Sequence, residues 1–160
     1  MLELGKSAPT FTLPSDGGEP LSLESLRGRP VVLYFYPKDD TPGCTRQACG
    51  IRDRYADFEG ARAVVLGVSP DSTASHARFR DKFGLPFTLL ADPDHAVAEL
   101  YGTWVEKRNR GRTYMGVQRA GFLIDAEGNL AAMKNPVDAD EHTEWALREL
   151  EKLEGAAARA

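Results

Sequence analysis

Two stretches of the chain are apolar on both faces. Val31 to Tyr36 (VVLYFY) and Ala63 to Ser69 (AVVLGVS) are β-branched and aromatic runs of strand length, the pattern of strands buried in the middle of a sheet. Pro37 ends the first. Between them Ile51, Tyr55 and Phe58 recur at helical spacing, which predicts a helix over Thr45 to Phe58. After Pro70, Ser72 is placed to cap a helix through Phe83, whose His76, Phe79 and Phe83 share one face, and Gly84 is placed to stop it. Phe87 to Ala91 reads as a further strand.

The rhythm then shifts toward hairpins. A short helix from Ala96 ends by Gly102, and Trp104 to Gln118 is polar and glycine-punctuated enough for a hairpin or two edge strands. Phe122 to Ile124 and Leu130 to Lys134 form a second hairpin around Asp125-Ala126-Glu127-Gly128-Asn129. A last helix, about Ala139 to Leu153, puts Ala146, Leu150 and Leu153 on one face, and the Ala-rich tail beyond it is expected to fray. The segment before Val31 is rich in Gly, Pro and Ser, an irregular lead-in with brief strands at Phe11 to Leu13 and Leu21 to Leu23. Strands alternating with helices, then a hairpin and a helix, predict an α/β fold. Its central mixed β-sheet is flanked by helices on both faces.

Composition narrows the class. A chain of 160 residues that is 42% hydrophobic can bury one good core but not two, so a single domain over 1–160 is expected. A formal charge of -4 gives no electrostatic reason for a nucleic acid or an anionic membrane as partner. The N-terminus lacks the basic start and apolar stretch of a secretory signal, and no later window is long and apolar enough to span a bilayer. A cytoplasmic protein is the expectation. Two cysteines and the scattered His76, His95 and His142 give no metal-ligand spacing. The glycines form no dinucleotide fingerprint, so no cofactor is expected.

The chemistry concentrates in Pro37-Lys38-Asp39-Asp40-Thr41-Pro42-Gly43-Cys44, between a buried strand and a helix start. Open α/β sheets present ligands at such a junction. Thr41 suits the N-cap and Pro42 the first helical position, so Cys44 falls in the first turn, where unpaired N–H groups and the helix dipole favour a thiolate. Gly43 would either let a small substrate approach the backbone or serve only a tight turn. No histidine is near in sequence, so a cysteine-histidine pair would have to be assembled by folding.

Cys49 follows five positions later. On an intact helix its Cα lies roughly 8 to 9 Å from that of Cys44, beyond the roughly 7 Å that a disulfide tolerates. The two can pair only if the first turns unwind, which Gly50 would ease. Taken alone, Cys49 beside Ala48 and Ile51 reads as a small buried apolar residue. The spacing also departs from thioredoxin-type reductases, whose two cysteines have two residues between them. A protein dithiol-disulfide reductase and a thioredoxin-like binding or chaperone module stay open as alternatives.

The string from Phe35-Tyr36-Pro37 to Thr41-Pro42-Gly43-Cys44-Thr45 resembles the active-site signature of the peroxiredoxins. The step to Cys49 is similar to their bacterioferritin comigratory, or Q-type, branch. Further matches run through Ser69-Pro70-Asp71, Gly84-Leu85-Pro86-Phe87, Tyr101-Gly102-Thr103-Trp104, Tyr114-Met115-Gly116 and Phe122-Leu123-Ile124-Asp125, with Arg119 at the family's active-site arginine position. Two departures are Gly121, where the family more often has a hydroxyl residue, and Gln47, where Glu is commoner.

The resemblance implies a thioredoxin-like fold and a thiol peroxidase, frequently a monomer, that takes hydrogen peroxide and organic hydroperoxides. Cys44 would be the attacking (peroxidatic) cysteine and Cys49 the resolving one. Thr41 and Arg119 would polarise the peroxide, Pro37 would shield the sulfur, and thioredoxin or a similar dithiol would be the reductant.

Overall fold

The computed structural model describes residues 2–158. Its centre is a five-stranded sheet of β3 (Val31–Phe35), β4 (Val64–Ser69), β5 (Thr88–Ala91), β8 (Ala120–Ile124) and β9 (Leu130–Lys134), in the order β5-β4-β3-β8-β9. The β3, β4 and β5 strands run parallel, while β8 and β9 add antiparallel pairs on the other side of β3. The apolar run VVLYF therefore sits in mid-sheet, with every side chain 2% exposed or less. This is the mixed, helix-flanked sheet expected from the pattern.

The alternation of β3 feeds two cores. Val31, Leu33 and Phe35 join Leu66, Leu90, Tyr101 and Phe122 on one face, while Val32 and Tyr34 join Ala48, Ile51, Phe58, Phe79 and Trp145 on the other. The second core is closed by the helices α1 (Pro42–Asp53), α2 (Tyr55–Gly60), α3 (Thr73–Phe83) and α5 (His142–Ala158). On the first face lie α4 (Ala96–Leu100), the two-stranded pair β1 (Thr12–Pro14) and β2 (Pro20–Ser22), and a 3-10 turn over Leu23–Leu26. The strands β6 (Trp104–Asn109) and β7 (Arg112–Val117) form their own hairpin, closed by Arg110 and Gly111, both at positive φ as a two-residue turn of this twist requires.

Local signals hold where the chemistry is local. Ser72 Oγ accepts from the Ser75 N–H at 3.1 Å to cap α3, and Gly84 stops that helix at φ 59°. Asp125 Oδ1 accepts from the N–H groups of Glu127 and Asn129 in the β8–β9 turn.

Two helices differ from the expected bounds. The continuous helix over Thr45 to Phe58 is broken at Arg54 (φ −113°, ψ 17°), whose guanidinium bonds Asp57 and Glu144, and Phe58 in the helix that follows is fully buried. The last helix starts at His142, not Ala139, and continues through the alanines to Ala158. Alanine is the strongest helix former and prolongs a helix that packing has nucleated. The final two residues lie outside the described ones. Among the described residues no helix is long and apolar enough to cross a membrane.

Candidate active site

The junction of β3 and α1 forms as its residues dictate. Pro42 occupies the first turn of α1, where its missing N–H costs no bond, and Thr41 precedes it in extended conformation. The first main-chain bond of the helix is Thr45 N–H to the Thr41 carbonyl at 2.8 Å. Gly43 and Cys44 N–H thus have no acceptor among the described residues, and Cys44, 2% exposed, sits beside the positive end of the helix. One expectation is corrected: Thr41 stands at the N-cap but makes no side-chain cap. Its hydroxyl donates to the Lys38 carbonyl at 2.8 Å, which fixes the rotor and leaves oxygen lone pairs free.

Arg119, in the short link between β7 and β8, completes the cluster. Its Nη1 and Nη2 each donate to Cys44 Sγ at 3.5 Å, and Nη1 also donates to Gln47 Oε1 at 2.6 Å. Gln47 is one helical turn past Cys44, so α1 offers sulfur and amide to the same guanidinium. The departure from Glu at this position therefore keeps the acceptor and drops its charge. Gly43 lies in the first turn of α1. A Cβ there would lie 3.0 Å from Arg119 Nη2, so the missing side chain makes room for the guanidinium.

A buried polar network holds the Pro37 to Thr41 loop from behind. Tyr36 Oη donates to Asp39 Oδ1 at 2.5 Å, Ser75 Oγ donates to Asp39 Oδ2 at 2.8 Å, and Asp39 N–H donates to Asp71 Oδ2 at 2.7 Å. His76 Nε2 donates to the Leu90 carbonyl at 2.9 Å, leaving Nδ1 2.7 Å from Asp39 Oδ2. Burial, then the nearby Tyr34 and Asp39, raise the Tyr36 pKa well above its usual value, so it stays a neutral donor.

Under α1 lie Tyr34 and His142, both fully buried, with ring centroids 5.2 Å apart. Burial, then the Cys44 charge, push the Tyr34 hydroxyl pKa well up. Burial and secondarily Arg119 lower the His142 pKa to about 3, so that imidazole is neutral. Gly121 explains the second departure. A Cβ there would lie 2.8 Å from both the His142 and Trp145 rings, which occupy that space.

Folding pairs no histidine with the cysteine. His76 binds Asp39, His95 binds Glu99, and the His142 nitrogens have no hydrogen-bond partner among the described residues.

Lys107 on β6 was not singled out from sequence. It is half-buried, and its pKa is lowered by burial and then by Arg119, with Cys44 acting in the opposite sense. No carboxylate pairs with it among the described residues. Gln47 could have been read from its helical spacing to Cys44. For Lys107, Tyr34 and His142 no local pattern pointed to the site.

Of the residues expected from sequence, Cys44, Arg119 and Thr41 cluster at the α1 N-terminus, and Pro37 lies at the end of β3 in the same loop. Cys49 is on the same intact helix, half-buried and unpaired, and both cysteines are free thiols.

This architecture and sequence have many relatives. The AhpC/TSA family model matches residues 4–133. A putative peroxiredoxin Bcp of Coxiella burnetii is 52% identical over 88% of this chain and 93% of its own length, and peroxiredoxin Bcp of Bacillus subtilis is 45% identical over 95% and 97%. Among solved structures, the Xanthomonas campestris bacterioferritin comigratory protein, studied for alkyl peroxide reduction, is 32% identical. It covers 94% of this chain and 98% of its own, with a TM-score of 0.87. A Xylella fastidiosa PrxQ variant superposes with a TM-score of 0.89 at 29% identity, over 95% of this chain and 97% of its own. With sequence, fold and the Cys44–Arg119 pairing in agreement, the chain belongs to the AhpC/TSA family and is a thiol peroxidase of its peroxiredoxin Bcp (Q-type) branch.

Proposed function

We propose that Cys44 is the peroxidatic cysteine, that Cys49 resolves it, and that Arg119, Thr41 and Pro37 complete the site. The observation that carries this is the pair of Arg119 contacts to a buried sulfur at a helix N-terminus. Fixed positive charge and free amides stabilise a thiolate and, equally, the negative charge that develops on oxygen as the peroxide bond breaks.

Cys44 attacks the terminal oxygen of ROOH. The S–O bond forms, the O–O bond breaks, and RO⁻ leaves to take a proton as ROH. The sulfenic acid at Cys44 then meets Cys49 once the first turns of α1 unwind. Their disulfide forms with release of water, and a dithiol of the thioredoxin kind returns both thiols. Pro37 limits water at the sulfur, while the free lone pairs of Thr41 Oγ accept from the peroxide hydrogen.

No cofactor enters this cycle. We further propose that residues 1–160 work as one domain, as a monomer in the cytoplasm, without a nucleic-acid or membrane partner. The net charge of -4 supports the last point.

Mass spectrometry after one equivalent of hydrogen peroxide tests the assignment. A Cys44–Cys49 disulfide is expected in the native chain, a lone oxidised Cys44 in Cys49→Ser, and no peroxide consumption in Cys44→Ser. Turnover retained in Cys44→Ser would sink it.

A further inference from the structure

Near α1 the protein keeps buried polar groups that no described residue answers. Tyr34 Oη, both ring nitrogens of His142 and Gln47 Nε2 are buried without a hydrogen-bond partner among the described residues. Buried polar groups are nearly always bonded, and each unanswered one costs the folded state stability.

Gln47 belongs to α1, and the other two side chains lie on the sheet face that this helix covers. Tyr34 and His142 are ring neighbours at 5.2 Å, and Tyr34 packs in one cluster with Cys44 and Ala48 of α1. Gln47, from the same helix, spends its oxygen on Arg119 and leaves its amide nitrogen unbonded. Bare backbone closes the other side: a Cβ on Gly67 would lie 2.9 Å from Tyr34 Oη, and one on Gly121 2.9 Å from His142 Nε2. A phenylalanine at 34 would fill the same space without the hydroxyl. The core therefore does not need the Tyr34 hydroxyl for packing, yet keeps it in one cluster with Cys44 and Ala48 of the helix that the catalytic cycle must open.

We propose that Tyr34 and His142 set the rate of the resolving step: partnerless against α1, they raise the energy of the intact helix relative to its unwound form and so bring Cys49 within reach of oxidised Cys44. The inference rests on the Cys44–Cys49 cycle proposed above. Unwinding the turns that carry Cys44 and Gln47 lets water reach the pocket and bond the waiting groups. The intact form keeps its own support from the helix bonds, the Arg119–Gln47 contact and the buried Ala48 and Ile51. The two residues thus tune a balance and leave the fold standing.

The test uses the full chain and two time courses after one equivalent of hydrogen peroxide. Sulfenic acid is trapped with a dimedone-type reagent, and the disulfide is followed by quenched mass spectrometry. Deuterium exchange of the α1 amides is read on the reduced protein. Tyr34→Phe removes a single oxygen. It is expected to slow disulfide formation about fivefold and to slow exchange in α1 by a comparable factor, while trappable sulfenic acid still forms. His142→Leu is expected to act in the same direction, and if that variant does not fold, Tyr34→Phe decides alone. Unchanged disulfide rate and exchange in Tyr34→Phe would overturn the inference, as would faster exchange, which would mean that the hydroxyl supports the helix. A native chain that forms no Cys44–Cys49 disulfide would instead overturn the cycle beneath it.

Discussion

Arg119 and Cys44 lie 75 positions apart in sequence, and both terminal nitrogens of the guanidinium stand 3.5 Å from the sulfur. Neither residue is adequate alone. The helix terminus offers a thiolate only partial charges, and the arginine would be a solvated surface cation without the α1 junction to receive it. Arg119→Gln should keep the fold and lower the second-order rate of Cys44 oxidation by about a hundredfold, as loss of one preorganised electrostatic donor does elsewhere. Stopped-flow measurement with hydrogen peroxide checks this.

Gly43 stands where the guanidinium passes. Gly43→Ala should shift the flexible end of Arg119 by a few tenths of an ångström, slowing peroxide attack severalfold with little change in stability. Gly121→Ala should do the opposite. Its new Cβ would meet two packed rings, costing about 1–3 kcal/mol in urea unfolding.

Burial and then Arg119 lower the Lys107 pKa, and the charge of Cys44 acts in the opposite sense. Lys107→Met should lower the oxidation rate about twofold to fivefold, and Lys107→Arg should restore most of it. Because the lysine charge is present below its lowered pKa, the advantage of the native chain over Lys107→Met should shrink as pH rises through that value. A rate profile of both proteins from pH 7 upward reads the difference.

His142 has a folded pKa of about 3 against an ordinary 6.5. As pH falls below 6.5 the unfolded chain gains a proton that the folded one refuses, so stability is lost on acidification. Between pH 6.5 and 4.5 this single group should cost about 2–3 kcal/mol. His142→Leu should lose correspondingly less over that interval in urea titrations, the carboxylates being common to both proteins.

Asp39 ties the active-site loop to Tyr36, Ser75 and His76. Asp39→Ala strands several buried donors at once and should cost about 3 kcal/mol. Thermal unfolding would show it.

Much of the molecule was legible along the chain. The runs at Val31 and Ala63, the helix over Thr73–Phe83 with its Ser72 cap and Gly84 stop, and the two hairpins follow from period and turn chemistry, interactions that span only a few residues. The position of Cys44 in the first turn of α1 follows likewise from Thr41 and Pro42 before it. Arg119 was reached through the peroxiredoxin resemblance, since nothing adjacent to it in sequence says what it faces.

The tertiary structure decided the rest. It broke the helix at Arg54, turned the Thr41 hydroxyl toward Lys38, filled the space at Gly121 with His142 and Trp145, and joined Asp39 to His76 and Arg119 to Gln47. Sequence periodicity reports which face of an element is buried, but not which residue from a distant element will meet it there. The sequence by itself therefore determined most of the elements and the placing of Cys44 at a helix start. Only packing decided which groups meet the Cys44 sulfur and which polar groups lie buried near its helix, because those contacts exist only once separate elements share one buried space.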